Sequence, residues 1–131
     1  RHVTIVRNDI SGEFSFASAI AGGAGLTLER SLIVDNEKFF EFENTSCNTT
    51  LAGGETIQWP AVNEGGQSEL PCATSVTFQD VPISPLQDHG GPTPTVLPSD
   101  SNILESLTGC SGFDQRGVPR GATCTPGATE P

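Results

Sequence analysis

The feature that most constrains the fold is an internal repeat near the start of the chain. Residues 3–10 (VTIVRNDI) align with residues 26–33 (LTLERSLI) at an offset of 23 residues, and Thr, Arg and Ile recur at the same places. The first three residues of each copy are apolar, polar and apolar, which is typical of a strand that buries one face. Because 23 residues is about the length of one solenoid circuit, the repeat predicts parallel strands stacked circuit on circuit.

In such a stack the inward side chains of one circuit lie on those of the next. The offset predicts that Val3 and Ile5 contact Leu26 and Leu28 in one column. Four further segments have the composition or the alternation of short strands. These segments are residues 14–21, 40–42, 55–59 and 75–79.

Glycine and proline separate these strand candidates. With 15 Gly and 10 Pro in 131 residues, chain reversals are frequent and long helices are disfavoured. Gly-Gly pairs at 22–23, 53–54, 65–66 and 90–91 permit tight corners with positive φ. The predicted fold class is all-β: a short right-handed parallel β-helix, or solenoid, with an irregular, disulfide-stapled C-terminal cap.

A single domain is expected for a chain of this length. Residues 1–81 are predicted to form the β-helix circuits, with an irregular, Cys-bracketed circuit at 47–72. Five prolines between residues 82 and 98 remove backbone donors, so the circuits should end after Phe78. Residues 82–131 should then form a Pro- and Gly-rich cap of the same domain, in which residues 99–107 predict one or two helical turns at most.

The four cysteines indicate disulfide bonds. They show no C-x-x-C spacing and no neighbouring histidine, which disfavours a zinc site or a redox motif. Of three possible connectivities, pairing Cys47 with Cys72 and Cys110 with Cys124 closes loops of roughly 25 and 14 residues, each worth about 3 kcal/mol. Such bonds persist in an oxidising compartment, so a secreted, extracellular or cell-surface protein is expected.

The charge balance disfavours two classes of partner. Sixteen Asp and Glu against six Lys and Arg give a formal net charge of −10, which repels nucleic acids and anionic membrane surfaces. The sequence contains no apolar run long enough to span a bilayer. No metal site or cofactor is predicted, and the opening Arg1-His2 indicates a mature or excised chain.

The most distinctive residues lie in the cap. Residues 85–95 (PLQDHGGPTPT) are followed by residues 114–120 (DQRGVPR) and by Cys124. This order resembles the C-terminal part of the choice-of-anchor Q family of bacterial β-helix surface proteins, in which a PL-x-D-N-G-G-P-T-x-T stretch precedes a D-x-R-G-x-x-R stretch and a cysteine. His89 departs from the Asn that is usual in the family. The resemblance implies an exported protein of which this chain is the last circuits and the cap.

An acidic and a basic residue lie two positions apart in a turn of the cap that Pro and Gly bound. We expect a charge-assisted hydrogen bond between Asp114 and Arg116 that fastens this turn, with no catalytic role. The only histidines are His2 and His89, and nothing in the sequence around them indicates a Ser-His-Asp arrangement. The predicted structural residues of the cap are Asp88, Gly90, Gly91, Asp114, Arg116 and Gly117.

Carboxylates and aromatic residues leave a polysaccharide-binding or carbohydrate-active module open as an alternative. Two acidic residues lie about one circuit before two others and could stack as a row of the kind that β-helix lyases and hydrolases use with basic partners. Because few cations accompany them, we do not expect an enzyme. The carboxylates are Asp9, Glu13, Asp35 and Glu37, and the aromatic residues that could stack on a sugar are Phe39, Phe40, Phe42 and Trp59.

The first strand leaves one edge of the stack unpaired. Either upstream circuits of a longer parent cover it while the cap covers the other end, or a second copy stacks head to tail and builds a filament. The expected function is therefore a non-catalytic extracellular structural protein, a surface module or fibre subunit. A C-terminal cap fragment of a longer cell-surface adhesin is a further alternative. The predicted self-association edge is Val3, Thr4, Ile5 and Val6.

Overall fold

The computed structural model describes residues 2–10, 17–38 and 46–130. Over these ranges the chain is all-β and contains no helix. Each strand is only two or three residues long, and residues with positive φ lie beside four of them. The strands are β1 (Thr4–Val6), β2 (Asp9–Ile10), β3 (Leu32–Val34), β4 (Glu37–Lys38), β5 (Thr56–Gln58), β6 (Val76–Phe78), β7 (Leu107–Thr108) and β8 (Thr123–Cys124).

Four of these strands form one parallel sheet in the order β1-β3-β5-β6. The order follows the sequence, and each connection returns the chain to the start of the next strand, so successive circuits pair side by side. Ile33 of the second circuit pairs with Ile5 on one side and with Gln58 on the other. The strand candidates at 55–59 and 75–79 are confirmed as β5 and β6, and the parallel sheet ends with β6 as predicted.

The predicted offset of 23 residues between the first two circuits is wrong. Ile5 pairs with Ile33, which is 28 residues later in the chain. Val3 is 39% exposed and Leu26 is 60% exposed, so these two side chains do not form a buried column. Leu28 is buried, but its backbone N–H donates to the following circuit and not to β1.

The observed register is marked by an Ile-Val-x-Asn-acidic sequence that occurs twice. Residues 5–9 (IVRND) align with residues 33–37 (IVDNE). Asn8 Nδ2 donates to Asn36 Oδ1 at 2.9 Å, and Asn36 Nδ2 donates to the Ile5 carbonyl at 3.0 Å. Because Asn36 is only 3% exposed, a register that broke these bonds would leave buried polar atoms without partners.

Left-handed residues turn the chain at both ends of β3. Arg30 precedes the strand with φ of 54°, and Asp35 follows it with φ of 56°. Each forms an ion pair with a residue of an adjacent circuit that also has positive φ: Asp35 with Arg7 at 3.0 Å, and Arg30 with Glu55 at 2.8 Å. Such φ values are costly for residues other than glycine, so their recurrence at equivalent corners fixes where the strands begin and end.

Two strand candidates fall partly or wholly outside the described residues. Residues 11–16 and 39–45 are not among them, which removes the start of the 14–21 candidate and the whole of the 40–42 candidate from comparison. Ile20 forms an isolated parallel bridge with Cys47. Neither residues 17–21 nor residues 26–28 form a strand.

The inner face of the sheet packs on an apolar cluster that a disulfide crosses. Cys47 and Cys72 are fully buried and joined with a Cα–Cα distance of 5.5 Å, which is the nearest-neighbour pairing expected from the sequence. Gln58 is also fully buried, and its amide group bonds to the Leu70 carbonyl at 2.9 Å and to the Cys72 N–H at 2.7 Å. The cluster comprises Leu28, Ile33, Cys47, Leu51, Cys72 and Ala73, with Ile5, Ala19, Ile20 and Val76 packed against it.

The outer face of the sheet is covered by residues 81–130, here called the C-terminal segment. All three residues of β3 are buried, so this strand needs apolar cover on both faces. Leu32 and Val34 pack in a second cluster with Ile57 of β5 and with Val81 and Ile103 of the C-terminal segment. The predicted cap therefore packs along the face of the sheet, because β3 presents a second apolar side there.

Two arginines of the circuits fasten the C-terminal segment to the sheet. Arg7 donates from Nη1 to the Ser84 carbonyl at 2.9 Å and from Nη2 to the Ile83 carbonyl at 3.1 Å. Arg30 donates from Nη1 to the Gly109 carbonyl at 3.2 Å. The same side chains that stabilise the corners therefore also hold the cover of the outer face in place.

Short-range contacts organise the C-terminal segment itself. β7 and β8 pair antiparallel, and the Cys110–Cys124 disulfide joins this pair with a Cα–Cα distance of 6.0 Å. The helical turns predicted at 99–107 reduce to one turn, in which the Leu104 N–H donates to the Asp100 carbonyl at 3.3 Å. Together the two disulfides indicate an oxidising environment.

Substitution of Asn36 tests the 28-residue register. Asn36→Ala should lower the free energy of unfolding by about 2 kcal/mol, because it removes the four hydrogen bonds of a buried side chain. Asn8→Ala is the matched control and should cost about 1 kcal/mol or less, because Asn8 is exposed. Urea denaturation of both variants gives the two values, and equal losses would contradict the observed pairing.

Candidate functional site

The edge of β1 that points away from β3 is the first part of the candidate site. The Val3 carbonyl accepts from the Leu32 N–H at 2.8 Å, and the Arg7 N–H donates to the Asp35 carbonyl at 2.8 Å, so every second residue from Val3 to Arg7 turns its backbone groups toward β3. The residues between them, Thr4 and Val6, therefore direct N–H and C=O groups to the opposite side. In the part of the chain that the structure describes, no strand pairs with that side.

The C-terminal segment forms a wall beside this edge. The Ala128 N–H donates to Thr4 Oγ1 at 2.8 Å, which brings the wall directly against β1. Two pockets of about 350 and 440 Å³ lie here, and because they share Thr4, Gln115 and Ala128 they adjoin and are treated as one groove. We call it the edge groove; other residues that line it are Leu86, Pro94, Val96, Phe113 and Thr129.

Large apolar side chains are exposed along the edge groove. Phe113 is 70% exposed, Leu86 is 67% exposed and Val3 is 39% exposed. An edge strand with unpaired backbone groups and adjacent apolar surface is the type of site that receives an additional strand. The Val3–Val6 self-association edge stays a prediction, and these residues form one side of the edge groove.

The opposite edge of the sheet has the complementary pattern. The Ser75 N–H donates to the Gly53 carbonyl at 3.2 Å and the Gln79 N–H donates to the Gln58 carbonyl at 3.1 Å, so these residues face β5. Val76 and Phe78 of β6 therefore direct their backbone groups outward. β6 is an edge strand of the sheet, as β1 is.

The predicted pair of Asp114 and Arg116 is present and fastens a turn. Asp114 Oδ2 accepts from Arg116 Nε at 2.9 Å, and its Oδ1 accepts from the backbone N–H groups of Arg116 and Val118 at 2.7 and 3.0 Å. Asp114 Oδ2 also accepts from the Glu130 N–H at 3.0 Å, which ties the end of the described chain to the turn. The Asp114 side chain is fully buried, so these bonds replace its hydration.

Opposing effects act on the pKa of Asp114. Burial removes the carboxylate from water and acts to raise its pKa. The hydrogen bonds from the N–H groups of Glu130 and Val118 and from Arg116 together outweigh burial, so the pKa lies below its ordinary value. The carboxylate therefore stays ionised and serves as an anchor.

The other predicted cap residues shape the turns around this anchor. Asp88 Oδ1 accepts from the Gly90 N–H at 2.8 Å. Gly91 has φ of 99°, and a Cβ there would lie 2.7 Å from Arg116 Cα, so only glycine fits against the Asp114 turn. Gly117 has φ of 84° within that turn. A second pair, Arg120 Nη1 with Glu130 Oε1, lies beside it.

The predicted row of carboxylates is changed by the 28-residue register. Asp9 pairs with Glu37 across β2 and β4, as neighbours in adjacent circuits. Asp35, however, lies at the corner equivalent to Arg7 and forms an ion pair with it. Glu13 lies outside the described residues. Asp35 therefore belongs to a neutralised corner and not to an acidic row.

Of the aromatic residues proposed to stack on a sugar, one can be placed. Phe39, Phe40 and Phe42 lie outside the described residues, whereas Trp59 is 36% exposed beside the end of β5. Over the ranges 2–10, 17–38 and 46–130, no group of three or more His, Cys, Asp and Glu is close enough to hold a metal ion. Nor does any helix within those ranges have the length and hydropathy needed to cross a bilayer.

The sequence did not identify the wall of the edge groove. Leu86 and Phe113 stand as isolated apolar residues among polar neighbours, a pattern that does not separate a buried residue from an exposed one. No protein-family model, curated protein sequence or solved structure matches this chain.

Removing Arg116 tests the structural role of the Asp114 turn. Arg116→Ala leaves a buried carboxylate without its ionic partner and should lower the free energy of unfolding by about 3 kcal/mol, with a lower Tm in calorimetry. Any association or ligand binding of the folded variant should be unchanged. Lost binding with an unchanged Tm would contradict the structural role.

Acidification tests the pKa of Asp114. Because this pKa is lower in the folded than in the unfolded chain, the stabilisation is complete at neutral pH and is lost as pH falls below about 4 through the folded value. Asp114→Asn should lower stability at pH 7 and flatten that acid-dependent loss. Asp88→Asn, at an exposed residue that also accepts from a backbone N–H, should change stability at pH 7 much less. The free energy of unfolding is measured between pH 7 and pH 2 for both chains. An equal loss in Asp114→Asn and in the parent chain over this range would overturn the expectation.

Proposed function

We propose that this chain is a non-catalytic extracellular structural module that assembles by adding a strand at the edge groove. The observation that carries the proposal is the outward row of N–H and C=O groups on Thr4 and Val6, set beside a wall with exposed apolar residues. An incoming strand would satisfy these backbone groups and cover apolar surface in one step.

The proposal includes a right-handed parallel β-helix as the architecture. Parallel strands in sequential order need crossover connections, and such connections are right-handed in nearly all sheets. Successive circuits also place identical side chains next to each other, as with Asn8 and Asn36. A solenoid of this type grows by adding circuits at its ends, so an open end is a natural assembly site.

The proposed partner is a second copy of the chain, which contributes its β6. The backbone groups of Val76 and Phe78 point away from β5, toward the free edge of the sheet. Their side chains lie on the inner face, because Phe78 pairs with the buried Gln58. If β6 of one copy lies parallel to β1 of the next, these residues face Ile5, which is also on the inner face. The contact is heterologous and does not close, so it builds a linear fibre.

Secretion and family membership are part of the same proposal. Two disulfides in a chain of 131 residues support an extracellular or cell-surface location. The Asp114 turn and Gly91, which lie in the two stretches that resemble the choice-of-anchor Q family, contact one another. This contact is consistent with two stretches that belong to one structural unit.

Proline substitutions on the two edges test the assembly. Val6→Pro and Val76→Pro each remove an outward N–H and leave the donors that face the neighbouring strand in place. Each variant alone should therefore lack the fibre that the parent chain forms at high concentration. An equimolar mixture should form a dimer, because one variant keeps a free β6 and the other a free β1.

Analytical ultracentrifugation from micromolar to millimolar concentration measures both outcomes. Glu64→Pro is the matched control, because Glu64 occupies the second position of the Asn63–Gly66 turn, where proline is favoured. This control should assemble like the parent chain, and circular dichroism should show that all variants are folded. A parent chain that stays monomeric throughout, or a mixture that stays monomeric, overturns the proposal.

A further inference from the structure

A separate pocket lies beside the end of β5, where the C-terminal segment leaves the sheet. Its volume is about 310 Å³, which is at the lower limit of pockets that hold small ligands. The pocket is distinct from the edge groove, since it contains no residue of β1 or β6. Residues that line it are Arg7, Asp35, Trp59, Asp80, Val81 and Ile83.

Trp59 supplies an aromatic surface in this pocket. Its backbone N–H donates to the Ile33 carbonyl at 2.9 Å, which fixes the residue against β3. Trp59 is 36% exposed and lines the pocket beside Val81 and Ile83, so part of a large apolar ring system remains open to a ligand. Trp59 is the only tryptophan of the chain.

The polar groups of the pocket are mostly acceptors. Arg7 is committed to the protein, because it donates to Asp35 Oδ2 at 3.0 Å and to the carbonyls of Ile83 and Ser84. Asp35 and the exposed Asp80 add two carboxylates against this one cation. The excess of negative charge disfavours an anionic ligand, and the carboxylate oxygens suit a ligand with several hydroxyl donors.

We infer that this pocket binds an uncharged sugar ring of a polysaccharide. The ring packs its C–H face on Trp59, and its hydroxyl groups donate to Asp35 and Asp80. A sugar presents both an apolar face and several donors, which matches an aromatic surface flanked by acceptors. This site does not depend on the assembly proposal, and it would let a structural module attach to a glycan surface.

The single tryptophan makes the parent chain its own reporter. Neutral hexasaccharides of β-glucan, xylan, mannan and galactan are titrated while the emission of Trp59 is recorded. At least one should produce a saturable shift with a Kd of about 1 mM or below. Trigalacturonic acid, an anionic saccharide, should bind at least ten-fold more weakly than that hexasaccharide.

Variants are compared by two-dimensional NMR titration, because Trp59→Ala removes the fluorescent reporter. Trp59→Ala should abolish binding, whereas Phe113→Ala, at an exposed aromatic residue of the edge groove, should leave the Kd unchanged. Asp80→Asn keeps an acceptor but removes a negative charge. It should therefore reduce the ratio between the Kd of trigalacturonic acid and the Kd of the neutral hexasaccharide.

Four outcomes overturn the inference. The first is that none of the four hexasaccharides shifts the Trp59 emission at ten times the Kd limit of about 1 mM. The second is that Trp59→Ala binds the hexasaccharide with the Kd of the parent chain, and the third is that Trp59→Ala and Phe113→Ala lose affinity equally. The fourth is that tetramethylammonium binds more tightly than any hexasaccharide, which would make the pocket a cation site. Assembly is measured separately in the proline variants, so failure of one proposal is distinguishable from failure of the other.

Discussion

Burial of β3 on both faces is the constraint on which the rest of the structure depends. Leu32 and Ile33 are fully buried and Val34 is 1% exposed, and each such side chain contributes about 1.5–3 kcal/mol when it leaves water. Ile33 requires an inner cluster, which the circuits and the Cys47–Cys72 disulfide provide. Leu32 and Val34 require an outer cover, which explains why the C-terminal segment lies along the sheet.

The parallel, all-β organisation could be predicted from the sequence, because glycine-bounded runs with period two specify short strands. The register could not be predicted from the chosen repeat. Residues 3–10 resemble residues 26–33 in composition, but pairing depends on which buried polar atoms find partners, and Asn36 finds them in Asn8 and Ile5 at an offset of 28. The Ile-Val-x-Asn-acidic sequence was the better signal, since it contains the asparagine that forms these bonds.

Of the candidate site, the edge strand could be predicted from the sequence but the wall of the groove could not. An edge strand follows from any open stack, so Val3–Val6 could be identified from order alone. Its wall comes from residues that lie 80 or more positions later in the chain and reach β1 through contacts such as Ala128 with Thr4. Such long-range contacts leave no periodic pattern in a Pro- and Gly-rich segment. The nearest-neighbour disulfides could be predicted because short loops favour them.

Backbone nuclear Overhauser contacts between the first two circuits test the central claim most directly. The parallel register predicts contacts from β1 to the amides of Leu32 and Val34, with Ile5 opposite Ile33. Backbone contacts between Ile5 and Leu28, or the close Hα–Hα contacts of an antiparallel pair, would contradict it. Either result would remove the two-sided burial of β3 and, with it, the edge groove.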